Sequence, residues 1–234
     1  MRSQVLWFYE QLYTKLAWSY GPVTRLASGG LWYQWTFVAE RYLAGPPVLD
    51  VGCGLGKLVG RLFGRGYQVT GVDRSPQMIR AAKKRLQQAG LHVPLIRAEG
   101  KKLPFTDASF GTLITTFPAS FAYDSSVQGE FARVLHSGGR WVWVDAPFAH
   151  RRTLRMVMFA MLSYGAGLQS SVFRPTNKRP LSSILKTKSL TGRELAWHPR
   201  LDPALFFDVT IEQVPVGETF VHVAVLEKRG RNIT

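Results

Sequence analysis

Apolar and polar positions along the chain change period several times, and each change marks an element. Residues 3–20 (SQVLWFYEQLYTKLAWSY) set Leu6, Tyr9, Leu12, Tyr13, Leu16 and Ala17 at helical spacing, which predicts an amphipathic helix stopped by Gly21-Pro22. Ser28-Gly29-Gly30 reads as a turn, and residues 31–43 as a second, aromatic-rich helix ended by Gly45-Pro46-Pro47. Then strand and helix patterns alternate: strands at 48–51, 67–73, 92–97, 110–116 and 140–146, helices at 57–65, 75–89 and 125–135. Ser75 is placed to cap its helix with Pro76 at the first helical position, and Gly138-Gly139 to turn the chain into the fifth strand. The strand cores VLDV, LIT and WVWV are nearly continuous apolar runs, as in a parallel sheet covered on both faces.

After the fifth strand the regularity lapses. Residues 152–168 read as an apolar helix, 170–190 as a basic insertion with Ser and Pro, and TGRELAWH as the start of a helix. FFDVTIEQVPV and ETFVHVAVLEK then alternate with period two around Gly217, which predicts a closing hairpin. No internal repeat is visible. A single domain over 1–234 is expected, with a helical cap at 1–45, a ligand-binding core at 46–146, an apolar and basic insertion at 147–190, and a closing helix and hairpin at 191–234.

Composition adds limits. Hydrophobic residues make up 46% and charged residues 19%, values of a globular chain able to bury a core. Cys53 is the one cysteine, so no disulfide forms within the chain, and the scattered His residues offer no metal spacing; no metal is expected. A reducing cytoplasm suits this. The N-terminal apolar run is broken by Glu10 and Lys15, unlike a secretory signal, and the 13 residues 156–168 are too few to span a bilayer. The formal charge of +15 is uneven: residues 151–200 hold ten Lys/Arg and one acid, Glu194, whereas 101–150 hold four of each sign. Such a patch attracts nucleic acid, anionic lipid or an acidic substrate, or serves as a solvated face.

The chemistry is concentrated in residues 48–75, VLDVGCGLGKLVGRLFGRGYQVTGVDRS. Glycine at 52, 54 and 56 admits positive φ and close approach of a ligand to backbone. A dinucleotide fingerprint, G-x-G-x-x-G, would need its third glycine where Lys57 stands. The pattern is instead an acid, Asp50, two residues before G-x-G-x-G. A carboxylate there repels a pyrophosphate but favours a ligand carrying ammonium and sulfonium groups. Asp73 closes the second strand, where an acid accepts the hydroxyls of a ribose. Together these residues point to S-adenosylmethionine.

In order and register, VLDVGCGLGKLVGRL, VTGVDRSPQMIRAAKKRL, LIRAEGKKLPFTDASFGTLITTF and EFARVLHSGGRWVWVD resemble the class I, Rossmann-like S-adenosylmethionine-dependent methyltransferases, over about residues 46–146. The likeness is greatest to the small-molecule enzymes that include quinone-ring C-methyltransferases. YEQLYTKLAWSYGPVTRLASGGLWYQW is similar, more weakly, to the helices that precede the core in that subgroup. The resemblance implies a three-layer α/β fold with two N-terminal helices and a mostly parallel seven-stranded sheet closed by an antiparallel hairpin. It implies S-adenosyl-L-methionine as cofactor, with Gly52, Gly54 and Gly56 along its methionine part, Asp50 near its ammonium and Asp73 on the ribose diol. Arg74 and Met78 would flank the adenine, Glu99 would precede the adenine-binding position Gly100, and Thr116 and Phe117 would face the methyl group or acceptor. Two positions depart from the family: Gly111 stands where Asp usually follows the Phe of the fourth strand, and Glu99 replaces Asp. A packing change is the expected reason at Gly111.

Each feature also has a structural explanation. Glu99 divides between an adenine contact and a solvated loop acid, and Cys53 reads as buried filler. Trp7, Tyr9, Tyr13, Trp18, Trp32 and Trp35 suit core packing, with an apolar lid over the acceptor as the alternative. His150 and Asp145 stand at the sheet edge where ligands bind, and Tyr9 and Tyr20 could reach an acceptor, but no residue is assigned as catalytic. The expected function is methyl transfer to a small apolar acceptor, quinone- or lipid-like, in a cytoplasmic protein able to rest on an anionic membrane. RNA methylation through 151–200 is the second reading; the basic insertion 170–190 carries only Phe173 for base stacking, and Thr116-Phe117-Pro118-Ala119 lacks the amino-methylation signature. A non-catalytic cofactor-binding relative is the third.

Overall fold

A computed structural model describes residues 20–118, 120–149 and 206–229. Two short helices, α1 (Tyr20–Ala27) and α2 (Trp32–Phe37), and a 3₁₀ turn (Val38–Tyr42) lead into β1 (Val48–Val51). There follow α3 (Lys57–Gly64), β2 (Val69–Asp73), α4 (Pro76–Gln88), β3 (Leu95–Arg97), β4 (Phe110–Thr116), a 3₁₀ turn (Ser120–Tyr123), α5 (Ser125–Val134), β5 (Leu135–Ala149), β6 (Phe207–Val216) and β7 (Thr219–Lys228). The predicted helix over residues 3–19, the 152–168 helix, the 170–190 insertion and TGRELAWH lie outside the described residues, as do His150 and the side chain of Tyr20.

The strands form one seven-stranded sheet in the order β3-β2-β1-β4-β5-β7-β6. The first five are parallel, and β7 enters antiparallel between β5 and β6. Apolar strands alternate their side chains between two cores, which makes the fold three-layered. Val48, Val69, Ile114, Val142 and Val144 face Trp35, Val38, Val59 and Leu62 on one side. Leu49, Val72, Leu113, Trp141 and Trp143 face Val127, Phe131 and Ala132 of α5 on the other. Ser75 caps α4 as predicted, its hydroxyl accepting from the Met78 N–H at 3.2 Å. Gly217 opens the two-residue β6–β7 turn at φ 58.

Several boundaries differ from the sequence expectation, among them β2, which starts at Val69 rather than at 67. Gly21 and Pro22 lie inside α1 rather than ending a helix; Pro22 falls in the first turn of α1, where its missing N–H has no intrahelical role. The second helix is α-helical only to Phe37 and then tightens to 3₁₀. The third strand is shorter, starting at Leu95. β5 starts at Leu135, not after the Gly pair: Leu135 pairs with Phe110, and Gly138 at φ 73 lets the chain bulge before Arg140 pairs with Thr112.

Gly111 lies in that bulge. A Cβ there would meet Gly45 O at 2.7 Å and Pro46 O at 3.0 Å, both backbone. The Gly45-Pro46-Pro47 loop docks on the start of β4, with Gly111 N–H donating to Pro47 O and the Thr112 hydroxyl to Gly45 O. The expected packing reason for glycine at 111 is therefore met: a side chain has no room.

Candidate active site

The strand order reverses at β1, with β2 on one side and β4 on the other, and in open α/β sheets the crevice at such a point takes the ligand. The loop leaving β1 there is held by Val72 O, which accepts from both the Gly52 and Cys53 N–H at 2.8 and 2.9 Å. Gly52, Gly54 and Gly56 take φ of 82, 51 and 64. These values belong to the left-handed region that only glycine enters cheaply.

The three glycines have different surroundings. A Cβ on Gly52 or Gly54 would meet nothing within 4 Å, so these two border open space. A Cβ on Gly56 would lie 3.2 Å from Ala82 Cβ and 3.3 Å from Leu86 Cδ1. Gly56 is thus also the position that lets α3 start close against α4. The buried Cys53 thiol is pushed up by its burial, matching its reading as filler.

Two acids flank the loop. Asp73, 6% exposed, accepts from Gly54 N–H through Oδ2 at 2.9 Å and from Ser75 N–H through Oδ1 at 2.8 Å. Burial raises its carboxyl while these two N–H groups pull it back down. A carboxylate offers about four lone-pair sites, so both oxygens keep acceptor capacity for hydroxyls. Asp50, paired in register with Gly71 and Ile114, is 2% exposed. Its Oδ1 is buried without a hydrogen-bond partner. Burial, and then the charge of Asp73, push its carboxyl up to about 7. An unpaired buried carboxyl oxygen is costly, and a cation bringing N–H donors would relieve that cost.

The other expected positions divide. Arg74 is exposed and Met78 fully buried at the start of α4. The Glu99 side chain is 62% exposed and pairs with Lys101 at 3.3 Å, the arrangement of a solvated loop acid. Gly100 faces Phe121: a Cβ would stand 3.0 Å from the Phe121 ring. Thr116 ends β4 beside Val144, and Phe117 leaves the strand at φ 46 with its N–H on Val144 O. A positive φ on a bulky residue is strain, and such strain gathers at ligand sites. The Phe117 ring lies 4.7 Å from Trp32 and 6.5 Å from Trp35, so α2 reaches over the end of β4. Trp35 is core, fully buried with its indole N–H on Thr219 Oγ1 at 2.8 Å; Trp32 is only partly buried. Asp145 is buried near the end of β5.

Sequence reasoning missed the attachment of α2 to α3. Lys57 Nζ stands 5.1 Å over the Tyr33 ring, the Arg61 guanidinium 4.4 Å over Phe37, and Glu40 pairs with both Arg61 and Arg65. The spacing 57, 61, 65 was present as a signal, one cation per turn on a face of α3. It lacked only its partners.

Comparison with known proteins agrees with this architecture. Residues 48–139 match the family described as "Methyltransferase domain". The chain is 38% identical over 100 residues to the uncharacterized methyltransferase YodH of Bacillus subtilis, covering 43% of each chain. It is 32% identical over 142 residues to the demethylmenaquinone methyltransferase of Thermus thermophilus, covering 58% of this chain and 64% of that one. The chain thus spans less than two thirds of the length of these relatives. A crystal structure of an S-adenosylmethionine-dependent methyltransferase from Aquifex aeolicus superposes at a TM-score of 0.51 with 17% identity, over 82% of this chain and 87% of that one. Residues 48–139 are thus similar to a methyltransferase domain, and the fold is the Rossmann-like α/β fold of the methyltransferase structure it superposes on.

Proposed function

We propose that the chain is an S-adenosylmethionine-dependent methyltransferase acting on a small, apolar, quinone- or lipid-like acceptor. The observation that carries the reading is Asp50, a buried carboxyl with an unpartnered oxygen beside an open glycine loop. A phosphate-bearing ligand would be repelled there, whereas an ammonium would complete the hydrogen bonding. When bound, the cofactor supplies an electrophilic methyl on a sulfonium.

The chain's own residues do the rest. Asp50 receives the ammonium, and Asp73 uses its remaining lone pairs on the ribose diol while its N–H partners hold it still. Gly52 and Gly54 leave the loop face open for the methionine portion, and Gly56 closes the loop onto α4. Arg74 and Gly100 border the adenine end; Met78 lies buried beneath it at the start of α4, and the Glu99 side chain turns to solvent with Lys101. Thr116 and Phe117 close the end of β4, with Trp32 and Phe117 as an apolar wall that excludes water and keeps an acceptor in line. Alignment is the main demand of such a displacement, and no general base is assigned.

Support for the acceptor class comes from this aromatic wall and from similarity to demethylmenaquinone methyltransferase, a name that belongs to the relative. We assign residues 1–45 to a cap, 46–146 to cofactor binding, 147–190 to an insertion and 191–234 to the closing element. Among the described residues no helix is long and apolar enough to cross a membrane. Peripheral contact with anionic lipid is proposed from the sequence of 151–168 alone, Arg151, Arg152 and Arg155 preceding an apolar run.

Calorimetry with S-adenosylmethionine, S-adenosylhomocysteine and NAD tests the cofactor, and labelled methyl transfer into cell extract tests the acceptor. Binding of the first two ligands, with label in the lipid fraction, is expected. Binding of NAD alone would overturn the cofactor, and label confined to RNA would overturn the acceptor.

A further inference from the structure

α4 holds the glycine loop in three places. At its start, Asp73 links the Ser75 N–H to the Gly54 N–H. In its middle, Ala82 and Leu86 crowd the place where a side chain on Gly56 would start. Near its end, Arg85 reaches back: Nε donates to Leu55 O at 2.9 Å and Nη2 to Gly56 O at 2.5 Å. Among the described residues no carboxylate pairs with Arg85, an unusual choice for a half-buried cation. Two loop carbonyls take that place. Gly60, one turn into α3, is tighter still: a Cβ there would lie 2.6 Å from Leu86 Cδ2 and 3.3 Å from Arg85 Nη2.

A peptide unit is planar and trans, so fixing a carbonyl fixes the next N–H on the opposite side. Gly56 O also accepts the first bond of α3 from the Gly60 N–H at 3.0 Å, so Arg85 adds a second donor to that carbonyl and ties the start of α3 to α4. It likewise fixes the Leu55–Gly56 peptide, immediately after the open position Gly54. A loop carrying three left-handed glycines has many other conformations in reach; the Gly56 N–H on Cys53 O at 2.8 Å closes its turn, and Arg85 adds a hold from outside. Arg suits this task because its planar fork delivers two parallel donors, which the point charge of Lys cannot.

We propose that Arg85 is a positioning residue for cofactor binding: it touches no ligand, and it presets the 52–56 loop through the Leu55 and Gly56 carbonyls. The proposal rests on the reading of that loop as the S-adenosylmethionine site. It places a determinant of cofactor affinity on the back of the loop, about 30 residues along the chain from the atoms it controls.

The test is titration calorimetry of the full chain with S-adenosylhomocysteine, beside melting curves. Arg85→Met is expected to raise Kd at least tenfold with the melting temperature lowered by only a few degrees. Arg85→Lys, able to reach one carbonyl, should fall between. Arg80→Met, an exposed arginine on the same helix, should stay within twofold of wild type. Ethylguanidinium at millimolar concentration should restore the affinity of Arg85→Ala, a rescue that a purely structural role would not give. If Arg85→Met does not fold, Arg85→Lys and the rescued Arg85→Ala decide. Wild type binding with unchanged Arg85 variants, or no rescue, overturns the role of Arg85 alone. A wild type that does not bind S-adenosylhomocysteine overturns the cofactor reading and the proposal with it.

Discussion

Asp50 is the residue on which the site turns, because its environment works against its own charge. Buried near Asp73 and the Cys53 thiol, its carboxyl stands at about 7 in the folded chain against an ordinary value of 3.8. A cationic ligand favours the carboxylate, so binding below that value must expel a proton. Affinity for S-adenosylmethionine should therefore rise with pH up to about 7 and level off above it. The same shift acts oppositely on stability. The folded state holds the proton between 3.8 and about 7 where the unfolded chain has lost it, so the contribution of Asp50 to stability falls as pH rises through that window. Asp50→Asn should make the fall of stability with pH shallower between 3.8 and about 7 in denaturant-unfolding experiments while weakening cofactor binding at least tenfold. Gly111 makes a separate prediction. Gly111→Ala should cost about 2 kcal/mol in chemical denaturation, since its Cβ would overlap Gly45 O, and leave cofactor affinity unchanged.

At the scale of elements, α2 is bound to α3 by stacked cations and to β4 by the Trp32–Phe117 contact. Loosening either should affect the acceptor side before the cofactor side. Trp32→Ala is expected to raise the acceptor KM several-fold with cofactor Kd unchanged, as steady-state kinetics and calorimetry can separate. Glu40→Ala, which leaves Arg61 and Arg65 without their shared partner, should cost about 1 kcal/mol and speed hydrogen exchange over residues 32–42. β4 was legible to the residue and α4 to its cap, because apolar runs and a Ser-Pro start are local signals. The tightening at Val38 and the bulge between Leu135 and Arg140 were not. Both are set by what packs or pairs across the sheet, which no single stretch of sequence contains.

For the whole molecule, the order of strands and helices was legible because β1, β2, β4 and β5 are buried on both faces and must read as apolar runs. Asp50, Asp73 and the glycines were legible for the opposite reason: they break those runs with residues that packing does not want. Arg85 escaped notice because a long polar side chain on a helix ordinarily points to water, and its partners are carbonyls, which have no identity in a sequence. The division of work among the glycines also needed the packed structure, since Gly56 and Gly52 look alike until α4 is placed.

The central claim is that a buried acid beside an open glycine loop is built for a cationic nucleoside. The most direct test is calorimetric titration of wild type and Asp50→Asn with S-adenosylmethionine from pH 5 to 8, in buffers of differing ionisation enthalpy. Wild type is expected to release a proton on binding below pH 7 and to bind more tightly as pH climbs, and Asp50→Asn to show neither effect. Binding by wild type that is flat across this range and matched by the variant would contradict it.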